Sequence, residues 1–221
     1  MNTRLILYLL SCGTLLISHA QSSLKPQQTI INDTNKHVIG FSTILLTNRK
    51  PEGLLGNFIT DAVKNEAEIA LRKRIDIVFI SSNAIKGTIP KGEITEEKIK
   101  EILPFDDSLS LMEIKGKDLK QILDRIAYRG GAPVSGVRMQ IQNMKASNIY
   151  IDGDTLILEK KYMLITIERN ALGKENFPIL KTISFKNLPN TLTTVVIKYI
   201  KKITSEGKAI SSYFGHRISY D

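Results

Sequence analysis

A short apolar run is the feature that most constrains how this chain can fold. It extends from Ile75 to Ile80 and reads IDIVFI, with five apolar residues in six. Such a run predicts a buried β-strand. The chain leaves it into SSNAIKGTIPKGEIT, Ser81 to Thr95, which contains Asn, Gly, Pro and Lys. Ligands often bind at the ends of buried strands, so we expect this stretch to form one wall of a pocket.

Four helices are predicted, most of them from apolar residues three and four positions apart. They run from about Leu54 to Arg72, from the N-cap Thr95 to Pro104, along KDLKQILDRIAYR to Gly130, and onward from near Asn190. Glu96 and Glu97 follow Thr95, and acidic residues stabilise the first turn of a helix. Glycine is a common terminator of helices, which agrees with the predicted end of the third.

Strands are predicted between these helices. They are HVIGFSTILL as a first edge strand, SLSLMEI with a turn at Gly116, VRMQI, NIYID, TLILE and YMLITIE. Asp152-Gly153 separates NIYID from TLILE, which predicts a hairpin. Because helices and strands mix without strict βαβ alternation, we predict an α+β fold in which helices pack on a mixed β-sheet.

The N-terminus reads as a secretory signal peptide. Residues 1–20 have one positive charge, an apolar run from Leu5 to Ile17 and the sequence SHA before Gln21. That run is too short to span a membrane comfortably, so no transmembrane span is predicted. LLSC also resembles a bacterial lipobox, in which Cys12 would become a lipidated N-terminus. Both interpretations predict an exported protein of the periplasm or cell envelope.

The predicted organisation is a signal peptide over residues 1–20, a polar leader over residues 21–39 and one domain over residues 40–221. We see no internal repeat in the sequence. Cys12 is the one cysteine of the chain. Cleavage after Ala20 would remove it, so the mature chain could form neither a disulfide nor a thiolate site.

The formal charge of +9 raises the question of an anionic partner. The lysines are scattered, and the densest clusters, LRKR (Leu71 to Arg74) and KYIKK (Lys198 to Lys202), read as solvated helix surface. The pattern therefore does not indicate nucleic-acid binding. A small phosphorylated ligand remains compatible with it.

The chain lacks the residues that usual hydrolytic sites require. His37 and His216 are the histidines outside the predicted signal peptide, and two isolated histidines cannot build a two-metal phosphoesterase site. Ser135 in PVSGVR lacks the Gly-x-Ser-x-Gly pattern and reads as a buried turn serine. We therefore predict no catalytic residue, no metal ligand and no cofactor in this chain.

Six motifs occur in a consistent order between about Gly40 and Ile218. They are LLGNFITDAV, SSNAIKGTIPKGEIT, ILPFDDSLSLMEIKGKDL, GGAPVSGVRMQI, YMLITIERNALGKENF and GHRI. Together they resemble the C-terminal domain of the 5'-nucleotidase family, which includes UDP-sugar hydrolases and 2',3'-cyclic phosphodiesterases. The first two look like its Gly-Asn-Leu-x-x-Asp-Ala helix and its Asn-Gly-Gly-Ile-Arg segment.

The resemblance implies a set of substrate-binding positions, with some departures. Lys86 falls at the family's arginine and keeps the charge without the bidentate fork. Arg169 falls where an aromatic residue clamps the base, although a guanidinium can still stack on a base. Glu175 falls at the ribose-binding aspartate. The candidate residues are Ser82, Asn83, Lys86, Asp107, Arg169, Glu175 and Phe177.

The resemblance also implies a division of labour. Family members pair this domain with an N-terminal two-metal phosphoesterase domain. The hypothesis that follows is a nucleotide-binding subunit, inert alone, that acts with a separate exported metallophosphatase chain carrying the divalent metals. The alternatives are a non-enzymatic binding or scaffold protein that lost the pocket, and an independent hydrolase with an unrecognised site. The ligand would be a nucleotide or another phosphorylated small molecule.

We expect the exported protein to begin at Gln21, because SHA provides the small residues that signal peptidase requires. N-terminal sequencing of the protein extracted from the cell envelope tests this. A mature chain that begins with a lipidated Cys12 would contradict it and favour the lipobox.

Overall fold

Five helices lie within residues 37–221, the part of the chain that the computed structural model describes. They are α1 (Leu54–Leu71), α2 (Glu96–Ile102), α3 (Gly116–Tyr128), α4 (Glu168–Ala171) and α5 (Leu192–Ser205). Helices α1, α2, α3 and α5 confirm the four predicted ones. The Thr95 hydroxyl caps α2 by accepting from the Lys98 N–H at 3.2 Å.

Thirteen strands form four sheets in the same residues. They are β1 (Val38–Ser42), β2 (Leu46–Thr47), β3 (Ile77–Phe79), β4 (Thr88–Ile89), β5 (Gly92–Thr95), β6 (Ser108–Lys115), β7 (Val134–Ser135), β8 (Val137–Gln142), β9 (Lys145–Ile151), β10 (Asp154–Thr155), β11 (Lys161–Ile167), β12 (Phe185–Thr191) and β13 (Ile218–Tyr220). The largest sheet has the order β12-β6-β11-β3-β7, the next β10-β9-β8-β13, and β1-β5 and β2-β4 form small pairs. This architecture confirms the predicted α+β class.

Strand β3 is buried on both faces, which explains its uninterrupted apolar sequence. Val78 and Ile80 point into a core that α1 and α5 cover, whereas Ile77 and Phe79 point into a second core formed with α3 and β8. All four side chains are at most 1% exposed. The five-stranded sheet is therefore the middle layer of the domain.

The pairing within this sheet decides which chain segments meet at its edge. β3 and β11 are parallel, with Leu164 opposite Ile77. β6 is antiparallel to β11, with Leu109 opposite Ile167. The residues that follow β3, those that follow β11 and those that precede β6 consequently lie at the same edge.

A C-terminal strap, residues 210–217, is fixed to the start of α1 by carboxylates. Glu52 accepts hydrogen bonds from the Gly215 and Arg217 N–H groups and from Asn57 Nδ2. Arg217 forms a two-pronged ion pair with Asp61 at 2.8 and 2.6 Å. These bonds hold β13 against β8 at the edge of the four-stranded sheet.

Helices α1 and α5 are joined by a buried carboxylate. Glu66 on α1 is 4% exposed and lies 2.8 Å from Lys198 and 3.3 Å from Lys202, both on α5. Burial raises the pKa of Glu66, but the hydrogen bonds and positive charges of the two lysines outweigh it and bring the pKa below its usual 4.5.

Some elements differ from those that the sequence predicts. Gly116 is the first residue of α3 rather than a separate turn, and its missing Cβ lets the Ile157 carbonyl approach closely. Of TLILE only Thr155 belongs to a strand. The predicted edge strand HVIGFSTILL is instead β1 and the start of β2, which belong to different sheets. The sequence does not predict strands β4, β5, β7, β12 and β13 or helix α4. Lys201 and Lys202 are not simply solvated, because they pair with Glu96 and Glu66.

Strand β1 begins at Val38, just ahead of the predicted domain start at Gly40. The predicted signal peptide, the lipobox cysteine and most of the leader lie outside the described residues. Within residues 37–221, no helix combines the length and the hydropathy that a membrane crossing requires.

Substitution of Glu66 by glutamine should lower the free energy of unfolding by about 2 kcal/mol at pH 7, since hydrogen bonds between charged groups are replaced by weaker ones. Because the folded-state pKa is lowered, this contribution is fully present above pH 4.5 and is lost as the pH falls through the folded-state pKa. Urea unfolding at several pH values measures it. The exposed Glu159→Gln variant is the control, and a difference from the parent that does not vary with pH would contradict the prediction.

Candidate functional site

The segment after β3 forms a fixed loop at the edge of the central sheet. Ala84 and Ile85 are 2% and 4% exposed and anchor it in the core, so that Asn83 and Lys86 remain exposed. The Asn48 side chain donates to the carbonyls of Ser82 and Ile85 at 3.2 and 3.4 Å. The loop predicted as a pocket wall therefore has a well-defined backbone.

The segment after β11 supplies the facing side chains. It folds into the short helix α4, which carries Arg169, and then into a turn that carries Glu175. Since β11 runs parallel to β3, this segment faces the loop of Asn83. Asp107 arrives from the start of the antiparallel strand β6.

Four of the candidate residues form one chain of polar contacts. Asn83 Nδ2 donates to Glu175 Oε2 at 2.7 Å, and Arg169 Nη1 lies 3.8 Å from Glu175 Oε1. Arg169 Nη2 donates to Asp107 Oδ2 at 2.7 Å. The side chains of Asp107, Glu175 and Arg169 are 8%, 19% and 24% exposed, so Asp107 is the most enclosed.

Phe105 provides an aromatic surface beside this chain of contacts. Its ring is 49% exposed, the Arg169 guanidinium carbon lies 4.2 Å from its centroid, and Lys86 Nζ lies 5.8 Å from it. Both distances fall in the range of cation–π contacts. The candidate set omitted Phe105. Its place in the Leu-Pro-Phe segment was the signal that could have found it.

Phe177 lies in the core at the border of the candidate site. Its ring is 2% exposed and packs edge-to-face on Phe79, with centroids 4.6 Å apart. It therefore belongs to the core and supports the turn before it, and it also lines the cavity that Ser82 and Asn83 border. Ser82 is half-buried, and its carbonyl accepts a hydrogen bond from the Asn48 side chain.

The turn that carries Glu175 has a strained backbone. Glu175 and Asn176 have φ angles of 59° and 66°. This left-handed conformation costs a residue such as glutamate about 1–2 kcal/mol, whereas asparagine adopts it more readily. Two arginines stabilise this turn. Arg129, at the C-terminal end of α3, donates to the Glu175 carbonyl at 2.5 Å, and Arg125 on α3 donates to the Asn176 carbonyl at 3.2 Å. Strain of this kind clusters at functional sites.

Three buried side-chain atoms have no hydrogen-bond partner within residues 37–221, and all lie in the two segments that build this site. They are Ser81 Oγ, Arg169 Nε and Asn170 Oδ1. Buried polar atoms are nearly always paired in proteins. Ser81 borders a cavity of about 40 Å³ that Lys50, Asn83, Arg129 and Phe177 also line.

The residues considered for hydrolysis lie apart from this cluster. His37 is 3.9 Å from Glu96 with 68% of its side chain exposed. Ser135 is buried and donates to Asp61 at 2.7 Å, so it tethers β7 to α1. No three His, Cys, Asp or Glu side chains within residues 37–221 gather as metal ligands would.

Comparisons with known proteins agree with this architecture. The family profile described as "5'-nucleotidase, C-terminal domain" matches residues 31–182. A 5'-nucleotidase of Vibrio vulnificus is 27% identical over 114 residues, which are 49% of this chain and 21% of that protein. Protein UshA of Yersinia enterocolitica is 27% identical over 137 residues, 59% of this chain and 25% of that protein.

A solved structure extends the likeness to the fold. The 5'-nucleotidase precursor from Thermus thermophilus superposes with a TM-score of 0.72 at 25% identity, covering 84% of this chain and 39% of that one. The match thus spans between about a fifth and two fifths of the relatives' own length.

The Arg169–Asp107 pair should contribute to stability because both partners are largely enclosed. A double-mutant cycle of Asp107→Ala and Arg169→Ala, measured by urea unfolding, should give a coupling free energy of about 1.5–3 kcal/mol. The exposed pair Glu113–Lys161 should give less than about 1 kcal/mol in the same cycle. Additive effects of the Asp107 and Arg169 substitutions would show that their contact contributes nothing.

Proposed function

The chain belongs to the 5'-nucleotidase C-terminal domain family, and from this membership we propose that it binds the nucleotide substrate of a 5'-nucleotidase-like phosphohydrolase. The observation that carries the proposal is the convergence of Asn83, Glu175, Arg169 and Asp107 at one sheet edge. Strand ends at a sheet edge are where such folds bind ligands. The unpaired Ser81 Oγ and Arg169 Nε lie buried directly beneath these residues, in the same two segments.

Each group in the cluster suits one part of a nucleotide. The exposed face of Phe105 offers a stacking surface for a base. The Glu175 carboxylate is an acceptor for sugar hydroxyls. Lys86, Lys50 and Arg129 are cations for a phosphate, which accepts charge-assisted hydrogen bonds. The backbone of Ser82 forms part of the pocket wall that contains Lys86.

The catalytic part of the reaction would come from another polypeptide. The carboxylates and histidines of residues 37–221 do not fit a metal pair, so no metal-dependent step is assigned to them. A separate exported metallophosphatase would supply divalent ions, which polarise the phosphoryl oxygens and activate water.

The alternative is a protein that has lost its nucleotide pocket. Two contacts support it, because Asn83 pairs with Glu175 and Arg169 pairs with Asp107. In that case the protein is a binding or scaffold protein whose former pocket is filled by its own side chains. Calorimetric titration with AMP, UMP and UDP-glucose decides between the two, because a scaffold of this kind would bind none of them. In both cases we propose an exported protein of the cell envelope.

Substitution of Lys86 by alanine should weaken AMP binding about tenfold or more, since a charge-assisted hydrogen bond to phosphate is lost. Lys73→Ala is the matched control, because Lys73 is an exposed lysine outside the cluster. Calorimetry at fixed ionic strength measures both variants. Equal, salt-sensitive losses in the two variants would indicate diffuse electrostatics instead of a site at Lys86.

The purified chain should also release no phosphate from AMP in the presence of divalent cations. A phosphatase assay with and without the chain, using the envelope phosphatase that co-purifies with it, tests the division of labour. Turnover by the isolated chain that persists in the His37→Ala/His216→Ala variant would contradict the inert-subunit proposal.

A further inference from the structure

We propose that the hydrogen bond between Asn83 and Glu175 is a latch, which closes the site in the free protein and opens when the sugar of a nucleotide takes the place of Asn83. The inference rests on the proposed function. It adds how Glu175 changes its hydrogen-bond donor when a ligand binds. It begins from the 2.7 Å bond between Asn83 Nδ2 and Glu175 Oε2, which joins the loop after β3 to the turn after β11.

Each of the two backbones that the latch connects also has anchors of its own. On one side, Ala84 and Ile85 are buried and Asn48 binds the loop carbonyls. On the other side, Arg129 and Arg125 hold the carbonyls of the turn. Opening therefore requires only a rotation of the exposed Asn83 side chain, a motion of picoseconds to nanoseconds for a surface residue.

Glu175 is the carboxylate of this cluster that can change partners. Asp107 is 8% exposed and receives a direct 2.7 Å bond from Arg169, whereas Glu175 is 19% exposed and lies 3.8 Å from the same guanidinium. Arg129 fixes the backbone from which the Glu175 side chain extends, because it donates to the Glu175 carbonyl. When Asn83 rotates away, one carboxylate oxygen of Glu175 is left to accept a new hydrogen bond.

The chemistry of that oxygen defines what can replace Asn83. An ionised carboxylate only accepts hydrogen bonds, so the incoming group must be a donor. A sugar hydroxyl satisfies this condition, and a phosphate oxygen does not. The latch therefore selects for the nucleoside part of the ligand, while Lys86 and the other cations meet the phosphate.

The decisive variant is Asn83→Ala, which removes the competing donor and leaves Glu175 intact. Calorimetry should show that adenosine and AMP each bind about tenfold more tightly than to the parent, because the ligand no longer displaces a hydrogen bond to a charged group. Affinity for inorganic phosphate should not change. Asn65→Ala is the matched control, since Asn65 is an exposed asparagine that also binds a charged partner, Lys202.

Two further measurements separate the latch from an ordinary contact. Glu175→Gln should weaken adenosine binding, because the charged acceptor is lost. In the ligand-free protein, amide exchange of residues 174–177 should be faster in Asn83→Ala than in the parent, since the bond no longer restrains the turn.

The possible outcomes distinguish the latch from the proposed function. If AMP binds the parent and Asn83→Ala weakens it, Asn83 is a ligand contact and the latch is wrong, while the proposed function stands. Unchanged AMP affinity and unchanged amide exchange in Asn83→Ala would likewise overturn the latch alone. If neither the parent nor Asn83→Ala binds adenosine or AMP, the proposed function fails and the latch with it.

Discussion

Burial of β3 on both faces is the constraint on which the rest of this structure depends. Alternate side chains of IDIVFI enter two separate cores, with Val78 and Ile80 on one side and Ile77 and Phe79 on the other. Such a strand must belong to a sheet that has packed layers on both of its faces. Residues 75–95 can therefore expose polar side chains only after β3 ends, between those two layers. The position of the candidate site follows from this burial.

Strand direction then determines which polar groups meet. The parallel pairing of β3 with β11 places Asn83 beside Glu175, and the antiparallel pairing of β6 with β11 places Asp107 beside Arg169. The arrangement has a cost, since two consecutive non-glycine residues adopt left-handed conformations and buried donors remain unpaired. Proteins tolerate such local cost mainly where function requires the geometry. The stabilising contacts that balance it lie elsewhere, for example between Glu66 and α5.

Several motif residues that carry the family resemblance prove to be architectural. Asp61 binds both Ser135 and Arg217, and thereby ties α1, β7 and the C-terminal strap together. Asn57 is 2% exposed and holds Glu52 and the Tyr213 carbonyl. A motif can therefore be retained because it holds the fold together, without its residues touching a ligand. The proposed ligand-binding positions Lys86, Arg169 and Glu175 are where the sequence differs from the family motifs that it resembles.

The sequence by itself determined the long helices, the central strands and the α+β class, because apolar periodicity over many residues reports directly which face of an element is buried. It also located the polar loop that follows β3. Tertiary structure alone decided β12, an edge strand of mixed sequence with an internal proline, which exists because β6 offers it a partner. It likewise decided that Phe177 is core and that Asn83 meets Glu175 and Asp107 meets Arg169. These pairs are 92 and 62 residues apart in the chain. No local pattern encodes such contacts, since they arise only when strand pairing and packing bring distant segments to one edge of the sheet.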